Sequence, residues 1–352
     1  IGPLWCAVLG GIIVAWCAGG SWYAFSQHLY LFDPVYPVLG STAVYLTVSG
    51  VLFLTAERER RSVRRAFSQY LAPEMVERLA DDPEGLKLGG EDKELTILFS
   101  DVRGFTKISE KLNSQELTKL MNAFLTPMSD TLMEHGATID KYIGDAIMAF
   151  WNAPLDVDDH ATKSCSGALA MLERLKDVRK ETGHDIQVGI GLNTGICSVG
   201  NFGSNQRFNY SALGDAVNLS SRIEGLTKGY GVPILVGQAT MQAAPGFAFL
   251  EVDLIRVVGK QKPELVSALL GGPELANDSA FQTMKEHHDT GLQAFRKQIW
   301  DEASDAFALA RATACGGPSR EVIYDLYATR IAAYQAAPPP QDWDGVTDAT
   351  SK

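Results

Sequence analysis

Two carboxylates stand where strand-forming segments of the sequence end. Asp101 closes the apolar segment LTILFS, and Asp145 follows Gly144 in the segment TIDKYIGDAIMAF. Gly144 predicts a hairpin turn that places Asp145 at its tip, where it can meet Asp101 on the neighbouring strand. Facing carboxylates repel unless a cation lies between them, and oxygen ligands favour Mg²⁺ or Mn²⁺. The pattern indicates a divalent-metal site, although Asp at the end of a strand is also a common turn former.

Lys141 precedes Asp145 by four residues, and the simplest interpretation is an ion pair between them. A hairpin that turns at Gly144 gives a second interpretation, because it puts the two side chains on opposite arms. The spacing by itself leaves both open.

The segment after Asp101 and a later helical segment hold further polar candidates. A tight turn with exposed backbone N–H groups suits a metal-bound polyphosphate. Asn218 and Arg222 are four residues apart on one helix face, a spacing that an ordinary solvated pair also has. The residues of the turn are Val102, Arg103, Gly104, Phe105 and Thr106.

Hydrophobic periodicity predicts the elements that position these residues, and they form an α+β sandwich with helices laid against one sheet. The predicted strands are 94–100, 138–144, 145–151, 186–195, 196–203, 233–236, 247–257 and 264–270. The predicted helices are 114–135, 159–181 and 215–228.

The first 56 residues contain a single charged side chain, Asp33. Two apolar runs, 3–25 and 34–55, are each about as long as the ~20 residues that cross a bilayer as a helix. Five arginines follow within 57–65, and the positive-inside rule makes that end cytoplasmic. We therefore expect a protein of the cell inner (plasma) membrane, with transmembrane helices in 1–56 and a cytoplasmic catalytic domain.

The remaining segments are a connector and a tail. The connector, 57–92, has apolar residues at helical spacing, which fits either pairing with a second copy or packing on its own domain. Residues 275–335 predict a helical tail that resembles a tetratricopeptide unit, and the Pro-rich stretch 336–352 predicts a disordered end.

Composition excludes several classes of protein. The net charge is −11, which argues against nucleic-acid binding. The five cysteines have no CxxC spacing, so neither a zinc site nor a disulfide framework is indicated. The segment DVDDH, 156–160, could suggest a metal site, but aspartates before a helix are more often N-caps, and we prefer that interpretation.

Three segments together carry a family resemblance: LTILFSDVRGFTKIS, IDKYIGDAIMAF and FNYSALGDAVNLSSRIE. In this order and spacing they closely resemble class III nucleotidyl cyclases, specifically bacterial adenylate cyclases, over residues 93–271. The resemblance implies a ferredoxin-like cyclase catalytic domain. The layout of spans, connector, catalytic domain and tail is similar to that of cyclases with an extracellular CHASE-type sensor, which would precede Ile1.

The resemblance also implies roles for the candidate residues. Asp101 and Asp145 would hold two Mg²⁺ or Mn²⁺ ions per active site, and residues 102–106 would donate backbone N–H groups to the phosphates of ATP. Asn218 would orient the ribose, and Arg222 would stabilise charge on the α-phosphate. The resulting prediction is an adenylate cyclase that forms cyclic AMP and pyrophosphate in signal transduction.

Lys141 and Ser211 occupy the positions that recognise the base in this family. An ammonium only donates, so Lys141 suits adenine N1 and not the N1–H of guanine. Many family members have Asp where Ser211 stands, and the weaker acceptor would relax base discrimination. Ile196 replaces an Arg that binds phosphate in some members, which leaves Lys260 as a candidate contact to the triphosphate, although a surface-turn lysine fits Lys260 as well.

In this family one subunit supplies the metal ligands and the other supplies the base, Asn and Arg residues. A homodimer of this chain would therefore have two shared active sites. The rival hypothesis is a catalytically silent cyclase-fold module that binds nucleotide or dimerises. It is disfavoured because such modules have usually lost one of the residues Asp101, Asp145, Asn218 and Arg222.

Overall fold

The computed structural model describes residues 3–30, 33, 35–67, 89–204, 207–256, 262–340 and 342–348. The chain divides into two compact units, the first containing the two N-terminal helices and the second containing every element from the first strand onward. Lys260 and most of the predicted connector lie outside the described residues.

The first unit consists of helices α1 (Pro3–His28) and α2 (Val35–Phe67). Among the described helices one, α2, is long and apolar enough to cross a membrane, over Val38–Thr55 with a mean hydropathy of 1.7. Helix α2 continues without a break through the arginine-rich segment. Large apolar side chains on both helices are exposed, among them Trp16, Trp22 and Phe53.

The second unit is built on one nine-stranded mixed sheet. The sheet has the order β2-β3-β1-β4-β6-β8-β7-β9, and β5 pairs with β4 outside this path. The β4–β6 and β7–β9 pairs are parallel and the others are antiparallel. The strands are β1 (Gly89–Val102), β2 (Thr138–Ile143), β3 (Ala146–Trp151), β4 (Val188–Ser204), β5 (Arg207–Leu213), β6 (Ile234–Gly237), β7 (Ala248–Arg256), β8 (Glu264–Gly271) and β9 (Thr347–Asp348).

Helices cover both faces of the sheet. The helices of this unit are α3 (Phe105–Ser109), α4 (Ser114–Glu134), α5 (His160–Thr182), α6 (Asp215–Tyr230), α7 (Gln238–Ala243), α8 (Pro273–Ala276), α9 (Ser279–Arg296), α10 (Trp300–Ala312) and α11 (Glu321–Ala336). Apolar residues of α4 and α5 share one core with β1, β3 and β4. Those of α6 and α9 to α11 share another with β7 and β8.

Local sequence signals explain the elements beside the site. Asn113 and Glu116 form a capping box at the start of α4, in which each side chain accepts from the backbone N–H of the other. Gly191 on β4 lets α6 lie directly on the sheet, since a Cβ there would come within 2.3 Å of the Glu224 nitrogen. The position of α6 therefore depends on a residue without a side chain.

Three expectations need correction. The segments 186–195 and 196–203 form a single strand, β4, because β1 pairs with it without a break from Val188 to Asn201, while β6 pairs with residues 190–192 and β5 with residues 198–204. The predicted disorder of 336–352 is wrong for 342–348, where Trp343 packs on Phe295 and β9 pairs with β7. Asp159 takes the N-cap position of α5, but its side chain makes no capping hydrogen bond.

Candidate active site

Asp101 and Asp145 meet beside the end of β1. Asp145 follows Gly144 in the turn between β2 and β3, and the φ of 67° at Gly144 is one that glycine adopts without strain. The Val102 N–H donates to Asp145 Oδ2 at 3.3 Å, and the two carboxyl groups share a hydrogen bond. Burial, followed by the charge of Asp145, raises the pKa of Asp101 to about 6. Two acidic groups are thus held together at a cost in electrostatic energy.

The surroundings of this pair fit a hard divalent cation. The charge of Asp145 acts directly on the Asp101 carboxyl group, so two sets of carboxylate oxygens meet at one place. A cation between the carboxylates would remove their repulsion, and their oxygen atoms are the ligands that Mg²⁺ and Mn²⁺ prefer.

Glu224 is a third carboxyl group near the pair, and the sequence analysis missed it. Burial, followed by the charge of Asp101, raises the pKa of Glu224 to about 7, while Arg103 acts in the opposite direction. Glu224 lies on α6 two residues after Arg222, which is about 200° around the helix. The position of Glu224 in the helical period could have revealed this residue, because Glu224 falls on the side of α6 opposite Asn218 and Arg222.

Arg103 fixes the turn after β1 to the end of α6. Its Nη2 donates to the carbonyl oxygens of Thr227, at 3.1 Å, and Val232, at 2.5 Å. Its backbone N–H donates to the Gln187 carbonyl at 2.7 Å, and that of Val102 is engaged with Asp145.

Two of the five predicted phosphate donors, Val102 and Arg103, are therefore already used within the chain. The N–H groups of Gly104, Phe105 and Thr106 lie at the start of α3, where a helix has no carbonyl of its own to bond them. These three remain as candidates.

A second polar cluster joins β2 to β5. Lys141 Nζ donates to Ser211 Oγ at 3.2 Å, and Ser211 Oγ donates to Asp140 Oδ2 at 2.6 Å. Lys141 Nζ lies 3.5 Å from Asp140 Oδ1, so the ion-pair partner of Lys141 is Asp140 rather than Asp145. The structure brings Lys141 and Ser211 together as predicted. It adds Asp140, which the sequence analysis did not single out.

Asn218 and Arg222 lie on the outer face of α6, where Asn218 is exposed and Arg222 is partly exposed. Within the part of the chain that the structure describes, neither side chain has a hydrogen-bond or ion-pair partner. Ile196 is 62% exposed on β4, and Lys260 is outside the described residues. One chain thus holds Glu224 near its own aspartates, while Asn218 and Arg222 lie on another face of the same helix.

The histidine of the DVDDH segment is engaged within the fold. His160 bonds through Nδ1 to Thr96 Oγ1 at 2.7 Å, and no group of three or more possible ligands among His, Cys, Asp and Glu occurs within the described residues. Burial, the largest cause, lowers the pKa of His160.

A family model described as the adenylate and guanylate cyclase catalytic domain matches residues 90–268. This range contains the mixed sheet up to β8, the carboxylate pair and the Lys141 cluster. The chain belongs to this family of cyclase catalytic domains.

Relatives with known names support the assignment. Adenylate cyclase from Anabaena cylindrica is 35% identical over 221 residues, which are 59% of this chain and 42% of that protein. Adenylate cyclase 1 from Rhizobium meliloti is 35% identical over 153 residues, 42% of this chain and 23% of the relative. The crystal structure of the guanylyl cyclase Cya2 has a TM-score of 0.50 at 34% identity, covering 54% of this chain and 98% of that one. The chain spans less than half the length of these two adenylate cyclases.

Proposed function

We propose that this protein is a membrane-bound adenylate cyclase that converts ATP into 3′,5′-cyclic AMP and pyrophosphate for signal transduction. The observation that carries the choice of base is the contact between Lys141 and Ser211, 3.2 Å apart beside the active-site hairpin. It supports recognition of adenine, because Lys141 can donate to adenine N1 but meets a hydrogen atom at N1 of guanine. Named relatives include both adenylate and guanylyl cyclases, so the base is assigned from these side chains.

The proposed reaction joins the ribose 3′ oxygen to the α-phosphorus while the bond from that phosphorus to the pyrophosphate oxygen breaks. Asp101 and Asp145 would hold two Mg²⁺ or Mn²⁺ ions, whose charge favours the 3′-alkoxide and steadies the leaving pyrophosphate. Arg222 would donate to the α-phosphate as negative charge builds there, and Asn218 would orient the ribose. Backbone N–H groups of Gly104, Phe105 and Thr106 would bind phosphate, with Lys260 as a further candidate.

The phase of α6 favours a homodimer with two shared sites. Glu224 lies near Asp101 and Asp145 of its own chain, whereas Asn218 and Arg222 are on another face of the same helix. The aspartates and the Asn218–Arg222 pair of one chain would therefore act on different nucleotides. A second copy would bring Arg222 to the aspartates of the first. The apolar helix α2 would anchor each copy in the membrane.

The test assays the full chain in detergent with ATP and GTP, each with Mg²⁺ and then Mn²⁺, and measures cyclic nucleotide and pyrophosphate. We expect cyclic AMP to form, and Asp101→Ala and Arg222→Ala chains to be inactive alone and active when mixed. Mixing restores one intact site per heterodimer. An inactive wild-type chain that still binds ATP would support the silent-module alternative, and mixtures without activity would refute the shared site.

A further inference from the structure

A β-bulge brings Asp140 into the base-recognition cluster. In the β2–β3 ladder Ile139 pairs with Ala149 and Lys141 with Met148, so Asp140 is an extra residue without an opposite partner. In a regular strand the side chains of Asp140 and Lys141 would point to opposite faces. Here both reach the same Ser211 hydroxyl, which agrees with the way bulges redirect side chains.

The hydrogen bonds at Ser211 Oγ leave it one free position. A hydroxyl has one proton and two lone pairs. The proton goes to Asp140 at 2.6 Å, and one lone pair accepts from Lys141 at 3.2 Å. What remains is a lone pair, so a ligand that meets Ser211 in this arrangement must be a donor.

Asp140 is suited to hold this arrangement. Its side chain is fully buried, whereas that of Lys141 is 41% exposed, so Lys141 can move toward a ligand while Asp140 stays in place. Asp140 Oδ1 has no hydrogen bond among the described residues, and its charged neighbour is Lys141 Nζ at 3.5 Å. A buried carboxylate that accepts few hydrogen bonds costs free energy, which favours a role beyond stability.

We propose that Asp140 is a positioning residue for purine selectivity, which fixes Ser211 Oγ as a hydrogen-bond acceptor for the 6-amino group of adenine. The proposal rests on the adenylate cyclase function proposed above. Guanine carries an oxygen at position 6, and two acceptors facing each other repel. Without Asp140 the Ser211 proton could rotate toward that oxygen and bind it. The carboxylate that many family members carry at position 211 is thus supplied indirectly, from β2, which does not pair with β5 in the described sheet.

The test measures kcat/KM for ATP and for GTP with full-length wild type, Asp140→Asn and Asp140→Ala. In Asp140→Asn the amide oxygen should face Lys141, which only donates, and the amide NH₂ should donate to Ser211 and release its proton. We expect the ATP-to-GTP ratio to fall about tenfold in both variants, the factor that one hydrogen bond at a buried site is worth. Loss of folded protein lowers both rates equally and leaves the ratio unchanged. A wild-type ratio in both variants would overturn the proposal.

A second pair of variants separates action through Ser211 from action through Lys141. In a Ser211→Ala background, Asp140→Ala should leave the ATP-to-GTP ratio as it is in Ser211→Ala alone, since no hydroxyl remains to be oriented. A further fall of the ratio in the double variant would show that Asp140 acts through Lys141 and would refute the proposal. Asp156→Ala is the control for loss of a lysine-paired carboxylate outside the cluster, because the exposed Asp156 side chain pairs with Lys93 at 2.5 Å.

These outcomes are distinguishable from failure of the proposed function. If the wild type makes no cyclic AMP, the proposed function fails. If it makes cyclic AMP and the Asp140 variants keep its ratio, only the present inference fails.

Discussion

Asp140 and Asp253 are both buried aspartates, yet their partners differ. Asp253 Oδ2 accepts from Tyr230 and Arg330 at 2.7 Å each, and its Oδ1 accepts from the Leu254 N–H at 2.8 Å and from Thr347 at 3.2 Å. Asp140 Oδ2 accepts a hydrogen bond from Ser211, whereas Oδ1 has no hydrogen bond and only the Lys141 ammonium at 3.5 Å. Both of the Asp253 oxygens are used twice.

The difference separates a structural carboxylate from a functional one. Asp253 joins the end of α6, helix α11 and the C-terminal segment through Tyr230, Arg330 and Thr347, and no part of it is left for a ligand. Asp140 has fewer hydrogen-bond donors than Asp253, and its Oδ1 is among the unpartnered buried atoms of the described residues. Its charged neighbour is Lys141, which is the proposed base-recognition residue.

The largest effect should follow Asp101→Asn. We expect cyclase activity to fall at least about a thousandfold, because the amide has no negative charge to hold a divalent cation. The fold should persist, since removing one of two facing charges relieves repulsion. Measuring cyclic AMP formation alongside a thermal melt checks both statements. Appreciable activity in this variant would exclude Asp101 as a metal ligand.

The next effect concerns Asp253. Asp253→Ala removes the counter-ion of Arg330, whose side chain is 17% exposed, and should cost about 3–5 kcal/mol of unfolding free energy. Asp140→Ala should cost only about 1 kcal/mol, because it removes one hydrogen bond and an ion pair whose lysine side chain is 41% exposed. Urea denaturation of the two full-length variants makes the comparison. Equal losses of unfolding free energy in the two variants would contradict the distinction between a structural Asp253 and a functional Asp140.

Sequence patterns predicted that Asp101 meets Asp145 and that Asn218 and Arg222 share a helix face, because these signals are local; their roles stay predictions. Asp101 follows an apolar strand, Gly144 marks a turn, and Asn218 and Arg222 follow the helical period. Lys260 stays a prediction outside the described residues.

Features that depend on irregular or distant contacts could not be predicted from the sequence. Regular alternation would put Asp140 and Lys141 on opposite faces, and only the bulge brings them to one hydroxyl. The Pro-rich composition predicted a disordered end, whereas Arg256 pairs with Asp344 and Asp348, which are some 90 residues later in the chain. No local pattern reports either contact.

His288 on α9 should make the free energy of unfolding decrease in acid. This fully buried histidine bonds through Nε2 to the Glu251 carbonyl, and burial lowers its pKa to about 4. The unfolded state then binds more protons between pH 4 and 6.5, so stability is complete above pH 6.5 and falls as the pH drops toward 4. The loss should reach about 3 kcal/mol, and His288→Gln should remove most of this slope in urea titrations at several pH values. If the unfolding free energy of His288→Gln depended on pH as that of the wild type does, His288 would not be the source of the acid sensitivity.

Asp101 in the candidate active site should change the free energy of unfolding with pH in the opposite direction, and by a smaller amount. The pKa of Asp101 is raised from 3.8 to about 6, so the folded state binds more protons in this window, and stability decreases as the pH rises through it. Because Asp101 is only partly buried, solvent screening limits the penalty at neutral pH to about 1 kcal/mol. Without divalent ions Asp101→Asn should therefore be more stable than wild type at pH 7.5 and similar to it near pH 4. Excess Mg²⁺ should stabilise the wild type and leave the variant unchanged, because only the wild type keeps both charges of the metal site. A variant less stable than wild type at pH 7.5 without metal would mean that the shared hydrogen bond outweighs the repulsion.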